Sequence, residues 1–162
     1  MSRAFVKEAD GAEAVEELPD RPIGPERNLV TARGLALIEA EVARLRAALA
    51  DARAKADRAE IAHVARDLRY WTARQSSAEL VPPPDRADEV RFGLEVTIER
   101  DDGRCQRFRI VGMDEADPAK GSISYIAPLA QALMGKRIGD VVRAGASDAE
   151  IVAIAIPAAE NG

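Results

Sequence analysis

Asp57 and Glu60 are the residues of this chain best placed to do chemistry. They stand one helical turn apart in Asp57-Arg58-Ala59-Glu60, which puts two carboxylates on one face of a helix. In their own right they read as a capping box: Asp57 accepts from the Glu60 amide while the Glu60 side chain reaches back. Other chemistry is scarce. His63 is the sole histidine, so no cluster of histidine ligands can form, and it reads as a solvated helix residue. Cys105 is the only cysteine; it can make no internal disulfide, which favours a reducing, cytosolic setting. With no second thiol or nearby histidine to activate it, it reads as a small packing residue of a strand. Gly112, Gly121, Gly135 and Gly139 lack the strand, glycine-rich loop and Lys-Ser/Thr order of a phosphate cradle.

The carboxylates must be positioned by helices. Leu35, Ile38, Val42, Leu45, Leu49 and Ala52 recur in alternating steps of three and four, as do Ile61, Val64, Leu68, Trp71, Gln75 and Ala78. Such steps keep one stripe on one side of an α-helix. The phase jump between Ala52 and Ile61 breaks a single straight helix, whereas an antiparallel hairpin keeps both stripes together. Pairing Ala52 with Ile61, Leu49 with Val64, Leu45 with Leu68, Val42 with Trp71 and Leu35 with Ala78 fills every layer. Thr31 caps the first helix, and Pro82-Pro83-Pro84 ends the second. Each arm then has about 22 residues, roughly 33 Å, and the turn, without glycine or proline, carries residues 54–60 to the far end.

The chain of 162 residues has room for one compact domain and an appendage. No run of about 18 apolar residues and no apolar leader occurs, so neither a membrane span nor a secretory signal is expected. The net charge of −5 is uneven: −3 over residues 1–28, +2 over 29–80 and −4 over 81–162. Residues 1–28 are acidic and proline-interrupted, the composition of a disordered or loosely docked tail, with Ala4-Phe5-Val6 as its one apolar cluster. Residues 29–81 are the hairpin and 82–89 a linker. Residues 90–157 switch to period two: a strand from Val90 to Glu99, a turn at Asp101-Asp102-Gly103 and a strand from Gln106 to Val111. A strand from Ser122 to Ile126, a short helix from Leu129 to Met134 and two last strands, 140–142 and 150–156, follow. The expected class is α+β.

The globular part resembles the Gre family of bacterial transcript-cleavage and elongation factors. The resemblance is carried by Ile98-Glu99-Arg100-Asp101-Asp102-Gly103, by Arg107-Phe108-Arg109-Ile110-Val111-Gly112-Met113-Asp114-Glu115, and above all by ISYIAPLAQALMGKRIGD at residues 123–140, closest to the GreB branch. Leu29 to Gly34 and Leu68 to Arg74 resemble the bases of the Gre hairpin. The resemblance implies an antiparallel coiled coil followed by an FKBP-like domain. It implies a cytoplasmic factor that binds RNA polymerase, meets the RNA and DNA of the elongation complex, and needs no cofactor of its own; the filled seam of the hairpin argues for a monomer. The globular part would dock at the secondary channel through Ile126, Pro128, Leu129 and Lys136. The hairpin would enter the channel, with Arg53, Lys55, Arg58 and Arg66 against RNA or channel walls. Asp57 and Glu60 would help the polymerase hold Mg²⁺ and a water for cleavage of backtracked RNA. A hard cation that keeps most of its waters needs only one or two added carboxylates, and a tip can serve as both cap and ligand. Two departures stand against that role: Ile61 and His63-Val64 replace the usual Asn and acidic-aromatic step, and each arm is shorter by two to three turns, about 5.4 Å each.

Two other functions fit the same residues. A shortened hairpin could occupy the channel without cleaving and compete with true Gre factors. An FKBP-like domain could be a peptidyl-prolyl isomerase, but only Phe92, Phe108 and Tyr125 are on hand to line an apolar site.

Overall fold

The seams fold as their spacing requires. The computed structural model of the protein describes residues 17–159, and Ala4-Phe5-Val6 lies outside them. Helix α1 spans Ala32–Ala54 and α2 spans Arg58–Ser77. Ile38, Val42, Leu45, Leu49 and Ala52 of α1 are buried. Leu45, Leu49 and Val64 form a cluster against which Ala48, Ile61, Ala65, Leu68 and Trp71 pack. The burial is lopsided: in α2 only Val64 of the seam is fully buried, and Ile61, Leu68, Trp71 and Gln75 are half-buried. The hairpin therefore has a thin core of its own.

Two short strands close the base of the hairpin. Strand β1 (Asn28–Val30) precedes α1, β2 (Ala78–Leu80) follows α2, and they pair in parallel, Leu29 opposite Glu79. Parallel neighbours need a long crossover, and here the whole hairpin is that crossover. Three residues per strand carry too little pattern to be read in sequence, which is why this ladder was not expected.

The globular part is a five-stranded sheet in the order β5-β4-β3-β7-β6, built from Glu95–Arg100 (β3), Cys105–Val111 (β4), Ser122–Ser124 (β5), Val141–Ala144 (β6) and Ser147–Ala155 (β7). Only β4 and β5 run parallel. Helix α3 (Pro128–Leu133) closes one face with Ala130 and Leu133, over Val96, Ile98, Ile110 and Ile151. The class is α+β, as the sequence suggests.

Three local readings are refined. The strand expected from Val90 begins only at Glu95, because Gly93 takes a φ of +87° and the Leu94 amide turns back to the Arg91 carbonyl. Val90 and Phe92 are still buried, delivered by a turn rather than by pleat. Cys105, expected to pack, is exposed. Residues 17–27, assigned by composition to the acidic tail, lie along α2. Arg69 takes Asp20 at 2.6 Å, Glu17 at 3.8 Å and the Leu18 carbonyl at 3.1 Å. Arg21 pairs with Asp67 at 3.2 Å and covers the Tyr70 ring at 3.9 Å.

Candidate functional site

The tip is a helix end joined to a helix start. The Asp57 amide donates to the Ala52 carbonyl and the Ala56 amide to the Arg53 carbonyl, both at 3.1 Å, the paired bonds of a Schellman motif. That motif requires a left-handed residue, and Ala56 supplies it with a φ of +52° where glycine is usual. The turn residue that no glycine marked is thus an alanine held in glycine's conformation.

Asp57 then caps α2: its Oδ1 accepts from the Glu60 amide at 3.1 Å. Only this half of the capping box forms, since the Asp57 amide is already spent on Ala52. Both carboxylates are exposed. One cap bond leaves the second Asp57 oxygen and both Glu60 oxygens as acceptors, because a carboxylate carries about four acceptor sites. Among the described residues no group of three or more His, Cys, Asp or Glu is placed to hold a metal.

The basic residues expected to meet RNA separate into two sets. Arg53 in the last turn of α1, Lys55 at its C-cap and Arg58 at the first position of α2 are exposed at the tip. Lys55 lies 3.6 Å from Asp51. Arg66 is half-buried along the shaft, its Nε 3.8 Å from Asp67. The residues expected to dock the polymerase gather around α3. Ile126, Pro128 and Lys136 are exposed, whereas Leu129 is partly committed to the globular core. Phe92 packs edge-on to Tyr125 at 5.8 Å, and Phe108 lies on the same core. The aromatic residues an isomerase pocket would need are spent on packing.

The base holds what sequence reasoning missed. Arg74 is 3% exposed. Its Nε donates to Asp114 Oδ2 at 2.8 Å and a terminal nitrogen donates to Asn28 Oδ1 at 2.7 Å. Asn28 returns its amide to the Arg74 carbonyl at 2.8 Å and to Ser77 Oγ at 3.2 Å. Thr31 caps α1 through the Gly34 amide at 2.9 Å and donates its hydroxyl to Glu115 Oε2 at 2.5 Å. Gly34 leaves room for that carboxylate, which a Cβ would meet at 2.8 Å. Gly112 lets the Leu29 carbonyl approach so closely that a Cβ would lie 2.4 Å from it. The Tyr125 hydroxyl donates to the Arg27 carbonyl. One signal could have flagged Arg74: it follows Trp71 by three residues, on the seam side of α2.

These features define a class: an α+β domain that carries, through a tightly bonded base, a helical hairpin with exposed carboxylates at its end. Residues 84–156 match the model of the C-terminal domain of transcription elongation factors GreA/GreB. GreA of Desulfovibrio desulfuricans is 31% identical over 155 residues, covering 82% of this chain and 96% of the relative. GreA of Novosphingobium aromaticivorans is 35% identical over 140 residues, 80% of this chain and 87% of the relative. GreB of Neisseria meningitidis serogroup B is 47% identical over 79 residues, 48% of each chain, so that match spans about half the length of the relative. The chain belongs to the GreA/GreB family of transcription elongation factors. No helix among the described residues is long and apolar enough to cross a membrane.

Proposed function

We propose that this protein is a cytoplasmic elongation factor that binds RNA polymerase through its globular domain and sends its hairpin into the secondary channel. There it modulates elongation, and where the shortened arm reaches the active site Asp57 and Glu60 would assist the polymerase in cleaving backtracked RNA. It is not a catalyst by itself. The observation that carries this reading is the pair Asp57 and Glu60, both exposed at the end of a 23-residue helix of about 34 Å, in a chain that belongs to the GreA/GreB family. Mg²⁺ held by the polymerase supplies the Lewis acid for hydrolysis, and Asp57 and Glu60 are the residues that would add oxygen ligands to it. Arg53, Lys55 and Arg58 surround the pair with positive charge suited to nucleic-acid phosphates. Ile126, Pro128 and Lys136 offer the docking face.

The test is transcript cleavage by a purified, backtracked elongation complex, with and without the protein. Cleavage that disappears in Asp57→Ala/Glu60→Ala supports the reading. Retained binding without cleavage, together with inhibition of another Gre factor, assigns the protein to channel occupancy alone. Absence of binding refutes both.

A further inference from the structure

A site at the end of a long arm works only if the arm points in the right direction, and nothing at the tip can set that direction. The setting must come from the base. We propose that Arg74 is a positioning residue: its buried pair with Asp114, clasped by Asn28, fixes the direction in which the hairpin leaves the globular domain. The functional importance of that direction rests on the reading above; the geometric claim does not.

Four observations carry it. First, the buried polar residues described are Asn28, Thr31 and Arg74, and all three lie at this base. Second, the Arg74 contacts join three segments: β1, the last turn of α2 and the loop after β4. Third, the apolar clusters of the two parts are separate. The hairpin cluster and the globular cluster share no residue; Leu29 and Val81 from the base pack on the globular core, and Val30 is buried beside Gly112. Apolar contact is non-directional, so it holds the two parts together without fixing an angle. Fourth, the guanidinium is a rigid planar fork. With Nε on Asp114 and a terminal nitrogen on Asn28, it accepts one orientation of α2 relative to both partners.

Energetics point the same way. A buried ion pair is weak evidence for stability, because desolvation offsets its attraction, and its best-attested use is to select one arrangement over others. The side chains of Arg74 and Asp114 are only 4% and 11% exposed, so both are largely desolvated. The arm magnifies any error at the base: a swing of 10° moves a tip about 34 Å away by roughly 6 Å. Mg²⁺–oxygen bonds are about 2.1 Å long, so such a swing takes the carboxylates out of ligating range.

The experiment measures the direction itself. Spin labels are placed at the tip and on the globular part, with Lys55→Cys and Ala119→Cys in a full-length Cys105→Ser background. Pulsed dipolar spectroscopy then gives the distance distribution. It is compared between that background, Arg74→Lys, and the apolar pair Arg74→Met/Asp114→Leu, with a thermal melt of each. The expected result is a melting midpoint held or raised in the apolar pair, with a distribution broadened or displaced by about 6 Å, the reach of a 10° swing. Arg74→Lys, which keeps the charge and loses the fork, broadens it too. A narrow distribution at the background distance in the apolar pair overturns the proposal. Should that pair not fold, an unchanged distribution in Arg74→Lys overturns it alone. No polymerase enters this measurement, so failure to bind polymerase refutes the proposed function and leaves this result standing.

Discussion

Asp57 has one role visible in the structure, the cap, and one that is proposed, the ligand, and a pair of substitutions separates them. As a cap it contributes one hydrogen bond to the Glu60 amide, at 3.1 Å and exposed. Replacing such a cap by alanine costs about 1 kcal/mol, while asparagine caps nearly as well. In a chain of this size about 1 kcal/mol lowers the melting midpoint by some 2–4 °C. Asp57→Ala is therefore expected to melt a few degrees early with fraying confined to the tip, because α2 is pinned at its other end by Arg74. Asp57→Asn is expected to melt with the parent. As the proposed ligand, however, Asp57 would work through its charge, which asparagine lacks, so on that proposal both variants should lose RNA cleavage in a backtracked complex. The decisive assay is cleavage rate beside a circular-dichroism melt for the two variants. If Asp57→Asn cleaves as well as the parent while Asp57→Ala does not, the carboxylate is only a cap and the metal role is refuted.

The other predictions concern the turn, the base and pH. Ala56→Gly should stabilise the hairpin by about 0.5–1 kcal/mol, since it removes a left-handed penalty of about 1–2 kcal/mol and adds back part of it as chain entropy; a chemical-denaturation midpoint reads it. Gly112→Ala should cost about 1–3 kcal/mol by forcing β1 away from the new Cβ, and a melt that matches the parent would refute the close approach. Arg27 holds Glu79 by two hydrogen bonds, the nearer at 2.5 Å, and this side-chain bonding lowers the Glu79 carboxyl below its ordinary 4.5. A depressed carboxylate stabilises the folded state fully above its unfolded value and loses that effect as pH falls through the folded one. The melting difference between parent and Glu79→Gln should therefore be present at neutral pH, shrink below 4.5 and vanish in stronger acid.

The hairpin was legible because its information is periodic and repeated. Six positions of α1 at steps of three and four outvote any one of them, so half-buried Leu35 does no harm to the reading. The Asp57 cap was legible because it is local: residue and partner lie three apart. What failed to show in the sequence is either very short or spread along the chain. The β1–β2 ladder has three pairs. Arg74 and Asp114 are separated by 40 residues and Thr31 and Glu115 by 84, and neither pair forms a pattern within any window. Residues 17–27 were open between disorder and loose docking, for another reason. Acidic, proline-interrupted composition argues against a packed core, and these residues build none; they lie on α2 through the ion pairs of Arg21 and Arg69, which composition cannot see.

That division follows from what each end of the arm must do. On the proposed function the tip would present oxygen atoms to a partner, which needs exposure and little else; two carboxylates and a cap satisfy it, and short-range spacing encodes them. The base has to resist rotation, which demands contacts in several directions from segments that meet only in the fold. Buried Arg74, the Thr31–Glu115 bond and the close approach of Leu29 to Gly112 all lie within that small joint. The thin seam of the hairpin sharpens the demand. Only Val64 of the α2 stripe is fully buried, and helices of this length are only marginally stable alone in water. The base is thus the anchor of the arm and, on the proposal above, the part that aims a tip about 34 Å away that its residues never touch.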